Sequence, residues 1–144
     1  MGVENVRFVI VGHGDEEEML RQELRAAKFA GVLRGEALAT AYADMDLLVF
    51  PSHTDTFGNV VLEALASGVP AVVTPDGGPK YIVRDGETGF VVADDSFAGA
   101  VATLVRDRAR LQRMRACARE YALGCSWDAV FGRVYEGYRT VLVD

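Results

Sequence analysis

Two carboxylates, Asp55 and Glu63, are separated by seven residues within Asp55–Pro70, DTFGNVVLEALASGVP. An ionised carboxylate accepts hydrogen bonds and donates none, so such a pair suits a neutral polyol whose hydroxyls donate. Between them, Phe57-Gly58-Asn59-Val60 leads into an apolar run with helical spacing. The first amides of a helix have no intrahelical acceptor, and its positive end favours a phosphate or a sugar hydroxyl. Gly58 has no side chain to hold a ligand at a distance. Taken singly, each residue has a plainer reading: Asp55 as a helix N-cap, Glu63 as a solvated helical residue, Gly68 and Pro70 as helix punctuation. Their combination is what points to binding chemistry.

The surrounding pattern places both carboxylates at one end of a sheet. Short apolar runs at Val6–Val11, Lys28–Leu33, Asp46–Phe50, Ala71–Thr74 and Gly89–Val92 read as strands. Helical spacing covers Asp15–Ala26, Glu36–Ala43, Asn59–Ser67 and Pro79–Val83 between them. The last third reads as helices over Ser96–Val105, Asp107–Leu123 and Ser126–Val143, the last capped by Ser126. Alternation of this kind predicts an α/β fold: a Rossmann-like parallel sheet of about five strands covered by helices, with a helical C-terminal third. Asp55 then sits in the loop after the third strand and Glu63 in the second turn of the next helix. Ligands of open parallel sheets bind at that end of the strands.

Composition sets the outer limits. The 144 residues have room for one domain, expected over 1–144. A net charge of −6 argues against a general attraction to nucleic acid or to an anionic membrane. Cys117 and Cys125, eight residues apart, fit neither a disulfide framework nor a metal clip and read as free thiols. No leader pattern opens at Met1–Asn5 and no apolar run reaches the ~20 residues of a membrane span, so a cytoplasmic location is expected.

Other residues offer less. Gly12-His13-Gly14 is part of a dinucleotide fingerprint whose third glycine is missing. His13 and His53 are loop histidines read as surface polarity, with donor contact left open for His53. Lys80 after Gly77-Gly78 reads as solvated, with a phosphate contact as the alternative. Arg106, Arg108, Arg110, Arg113, Arg115 and Arg119 read as the solvated side of an amphipathic helix, with membrane-surface contact as the alternative.

The segment around Asp55 and Glu63 resembles the E-x7-E region of the group 1 glycosyltransferases, retaining enzymes of the GT-B fold. It carries that family's order of an acidic residue, Phe57-Gly58, Glu63-Ala64, Ala66, Gly68, Pro70, a strand, and Gly77-Gly78. Asp85-Gly86-Glu87-Thr88-Gly89-Phe90 resembles its D-G-x-T-G-F turn. Val9–Gly14 and Phe50-Pro51-Ser52 resemble its upstream landmarks. The resemblance implies the donor-binding, C-terminal domain, with a nucleoside-diphosphate sugar as donor, retention of configuration, and no cofactor or required metal. It implies that Asp55 contacts hydroxyls of the transferred sugar and that Glu63 holds the ribose. It further implies that the amides of Phe57, Gly58, Asn59 and Val60 meet the sugar and the diphosphate, and that Leu33 lies near the base. Asp rather than Glu at 55 is one methylene shorter, which shifts that contact.

The resemblance also implies parts outside these residues. An acceptor domain for a sugar, lipid or other small molecule is not in the sequence. Neither is the strand that opens the donor domain, with the Arg and Lys that neutralise the diphosphate. Charge stabilisation of the leaving group is a large catalytic term, so the chain alone is expected to be inactive, and the full enzyme to work in the cytoplasm or at the inner membrane face. Without the missing strand, the expected order is 2-1-3-4-5 by direct pairing of strands one and three, or homo-association through the empty slot. The alternative function is a non-catalytic nucleotide- or partner-binding module.

Overall fold

The computed structural model describes residues 6–142 of the chain, which form two compact units that divide between Asp44 and Met45. The first unit holds β1 (Val9–Val11), α1 (Glu17–Glu23), β2 (Lys28–Gly31) and α2 (Gly35–Asp44). The second holds β3 (Leu48–Phe50), α3 (Asn59–Ala66), β4 (Ala71–Val73), α4 (Pro79–Ile82), β5 (Gly89–Val91), α5 (Asp94–Arg106), α6 (Arg108–Leu123) and α7 (Trp127–Leu142). The predicted α/β alternation and helical last third are therefore present. Several strands are shorter than predicted because apolar residues at their ends lie outside the ladders. Val143, the predicted end of the last helix, is outside the described residues.

In the first unit β1 and β2 pair in parallel, with a register shift between Ile10 and Val11. In α1, Glu17 accepts from Arg21 at 2.7 Å and meets His13 at 3.2 Å. These contacts, Arg21's first, lower the Glu17 pKa.

The second unit is built on the parallel order β3-β4-β5. The predicted order 2-1-3-4-5 is not formed: β1 pairs with β2 alone, and β3 begins a separate sheet. Every ladder present joins strands consecutive in the chain, the pairing that a short local crossover brings about. Joining β1 to β3 would skip over β2.

Strand β4 is fully buried, and its alternation feeds two cores. Ala71 and Val73 pack with Val61 and Leu65 of α3 and Ala118 of α6. Val72 points the other way, to Leu104 of α5 and Leu111 and Met114 of α6. The run of Val61, Ala64 and Leu65 at helical spacing thus presents the buried face of α3 to the sheet. At the end of α3, Gly68 has φ +70, and the Val69 amide donates to the Ala64 carbonyl at 2.9 Å. This is the glycine stop read from the sequence.

On α6, Arg108, Arg113 and Arg119 are exposed and Arg110 and Arg115 half-buried, opposite the buried Leu111, Met114 and Ala118, as the amphipathic reading expects. Arg119 donates to the Ala66 carbonyl at the end of α3, and Arg115 to the Met45 carbonyl at 2.7 Å. Arg108 faces Asp46 at 3.7 Å, and the Arg110 guanidinium lies 4.6 Å from the Phe90 ring centroid. The helix uses its long cations to clasp neighbouring elements. Ser126 caps α7 through the Ala129 amide at 3.2 Å, and both cysteines are free and half-buried, as predicted. Among the described residues no helix is long and apolar enough to cross a membrane.

Candidate donor site after β3

The loop from β3 to α3 is held in shape by its own short polar side chains. Ser52 Oγ accepts from the Asp55 amide at 3.2 Å, and Thr74 Oγ1, buried at the end of β4, donates to the Ser52 carbonyl. Asp55 Oδ1 accepts from the Phe57 amide at 2.9 Å. That bond is a local turn in which an aspartate mimics a backbone acceptor. It commits one carboxylate oxygen, Oδ1. Asp55 is therefore not the N-cap of α3; Gly58 is, with φ +93 and no side-chain cap.

The same bond alters the set of amides at the helix start. The Phe57 amide is taken by Asp55, and α3 begins at the exposed Asn59, behind the buried Gly58. Phe57 and Asn59 are exposed, and Glu63 is an exposed residue of the second turn of α3. These positions, with Asp55, share one end of β3. Leu33 follows β2 and belongs to the first unit.

Gly58 has a structural reason beyond ligand access. Its φ is strained for any other residue, and an added Cβ would come within 3.1 Å of Pro79 and 3.2 Å of Ile82. Gly77 and Gly78 show the same principle more strongly. The Gly78 amide donates to the Asp55 carbonyl at 2.9 Å, and a Cβ on Gly78 would lie 2.6 Å from Phe57 Cα. The two loops are therefore packed backbone to backbone, and side chains between them are excluded.

His53 connects this loop to two others. Its Nδ1 is 2.8 Å from Asp76 Oδ2, in the loop after β4, and its Nε2 is 3.3 Å from Asp94 Oδ1, the first residue of α5. The hydrogen bond with Asp76, followed by the charge of Asp94, raises the His53 pKa. Lys80 is half-buried, with its ammonium 5.1 Å from the Tyr81 ring centroid. Among the described residues no group of three or more His, Cys, Asp or Glu is placed to hold a metal ion. A cavity of about 300 Å³ beside Arg110, Arg113 and the Gly86-Glu87 turn lies at the opposite, N-terminal end of β5.

The family model for group 1 glycosyl transferases matches residues 2–107, which include both carboxylates and the paired glycines. The chain belongs to the group 1 glycosyltransferases. Within this family it is 38% identical over 143 residues to a GDP-mannose-dependent alpha-mannosyltransferase of Mycolicibacterium smegmatis, covering 96% of this chain and 37% of that protein. It is 37% identical over 112 residues to a D-inositol 3-phosphate glycosyltransferase of Rhodococcus erythropolis, covering 76% of this chain and 25% of that one. The chain thus spans about a third of the length of these relatives. The structure of Anabaena Alr3699/HepE in complex with UDP-glucose superposes with a TM-score of 0.76 over 96% of this chain and 42% of that one. At 22% identity that likeness shows the fold alone.

The carboxylates, Gly58 and the Gly77-Gly78 turn are all marked in the sequence. The bridge from His53 to Asp76 and Asp94 is not, because its members lie 23 and 41 residues apart and follow no local motif.

Proposed function

We propose that this group 1 glycosyltransferase chain is the donor-binding part of an enzyme that moves a sugar from a nucleoside-diphosphate sugar to an acceptor, with retention of configuration. Asp55 meets hydroxyls of the transferred sugar through the oxygen not used by the Phe57 amide. Glu63 holds the ribose, and the α3 start at Gly58, Asn59 and Val60 receives the diphosphate. The observation that carries this reading is the locked β3–α3 loop, which offers a carboxylate, a helix start and a second carboxylate in a fixed order. A fixed arrangement spends little ordering entropy when the ligand arrives.

Because Asp55 is tied to Phe57, its reach is set by the turn and not by side-chain length alone. A Glu at this position would gain a methylene and lose the turn bond. The parts that neutralise the diphosphate and bind the acceptor belong to the rest of a longer enzyme, so the 144 residues bind donor without turning it over.

Isothermal titration of the 144-residue chain with GDP-mannose, UDP-glucose and an ADP-sugar tests this. At least one donor is expected to bind, with affinity falling about tenfold or more in Glu63→Ala and in Asp55→Ala, the scale of losing hydrogen bonds to a charged group. Binding of none, or binding indifferent to both substitutions, removes the donor-site reading. Transfer or donor hydrolysis by the chain alone would refute its dependence on other parts.

A further inference from the structure

His53 occupies a point where three loops meet at the C-terminal ends of β3, β4 and β5. It stands two residues before Asp55, and its ring reaches Asp76 on one side and Asp94 on the other. We propose that His53 is a positioning residue of the donor site: its imidazolium latches the loop carrying Asp55 to the loops that follow β4 and β5. The role in donor binding rests on the reading above; the latch itself does not.

The chemistry favours the protonated ring. A neutral imidazole donates from one nitrogen only, whereas the imidazolium donates from both, one to each carboxylate. Asp76 faces the ring from the β4–α4 loop and Asp94 from the start of α5. On its own loop, Asp55 is engaged by the Phe57 amide, and beside Asp94 the Asp95 carboxylate accepts from Ser96 at 3.0 Å. The raised proton affinity of His53 agrees with this geometry. Its contribution is complete below 6.5, the ordinary histidine value, and is lost as pH rises through the higher folded value.

The charge matters as well as the tether. Asp76 and Asp94 would place two negative charges at the mouth of a site meant for an anionic diphosphate. A protonated His53 offsets one of them. Losing that proton loosens the loop and makes the mouth more negative together, so both effects weaken donor binding in the same direction.

The test uses the 144-residue chain, with His53→Gln and His53→Arg. NMR titration of the His53 ring is expected to place its pKa above 6.5 in the wild type, and lower in the Asp76→Asn/Asp94→Asn double variant. The protection factors of the Phe57 and Gly78 amides, which divide out the base-catalysed rise of intrinsic exchange with pH, are expected to be about two- to fivefold higher at pH 6 than at pH 8, the scale of an exposed ion pair. In His53→Gln the protection is low at both pH values. In His53→Arg, whose fork carries a permanent charge, the protection is high at both. Nucleotide-sugar affinity follows the same pattern.

A wild-type pKa at or below 6.5, or loop exchange in His53→Gln equal to wild type at pH 6, overturns the latch. If titration and exchange behave as expected while no nucleotide sugar binds, the latch stands and the donor-site reading falls.

Discussion

Substituting alanine for Gly78 tests whether the β3–α3 loop is shaped by direct backbone packing. Gly78 has φ −79 and ψ −34, which any residue adopts, so the substitution carries no conformational penalty. Its Cβ would collide first with the Thr56 carbonyl oxygen and would lie 2.6 Å from both Phe57 Cα and the Phe57 carbonyl oxygen. Ordinary contact begins at 3.4 Å, so the loop must retreat by at least about 0.8 Å at Phe57 and further at Thr56. Overpacking of this kind costs about 1–3 kcal/mol, of which alanine's smaller unfolded-state entropy returns about 0.4–1 kcal/mol. A net loss of about 1–2 kcal/mol is expected. Gly86→Ala is the control, since Gly86 has φ +79 and nothing within 4 Å of its Cβ. It carries the left-handed penalty of about 1–2 kcal/mol without any collision. Gly77→Ala combines both, with φ +63 and a Cβ directed at the Asp55 carbonyl, and loses the most. Urea denaturation followed by far-UV circular dichroism gives the stabilities, and amide exchange at Phe57 reports the loop. Gly78→Ala should speed Phe57 exchange while Gly86→Ala, at the other end of β5, should not. Wild-type stability and exchange in Gly78→Ala would refute the packing argument.

Two further outcomes concern the scaffold behind the site. Leu104→Ala empties a fully buried position of α5 packed on Val72, Leu111 and Met114, and is expected to cost about 2–5 kcal/mol in urea denaturation; a loss below 1 kcal/mol would contradict that core. Asp107→Ala removes the side chain that accepts from the Arg110 amide at 2.9 Å at the start of α6, and is expected to cost about 1 kcal/mol with donor affinity unchanged.

Much of this protein is legible in its residue order because the deciding interactions are local. The helix stop at Gly68, the Ser126 cap, and the alternation of strands with helices depend on neighbours within one or two turns. The pairing of Asp55 and Glu63 with a helix start between them is equally local, and it suffices for the family. The sequence alone also placed the free cysteines.

Tertiary structure decided what depends on residues far apart in the chain. Gly77 and Gly78 read as a turn, yet they are glycines because Asp55 and Phe57 press against them. The arginines of α6 lie on the solvated side that the sequence indicates, and the fold adds that four of them also reach Asp46, Phe90, Met45 and Ala66. His53 read as a surface histidine, yet it joins three loops. Strand order likewise followed local crossovers and not the predicted β1–β3 pairing. Close approach between distant segments leaves no periodic trace in a single sequence, because either partner alone has an ordinary local explanation.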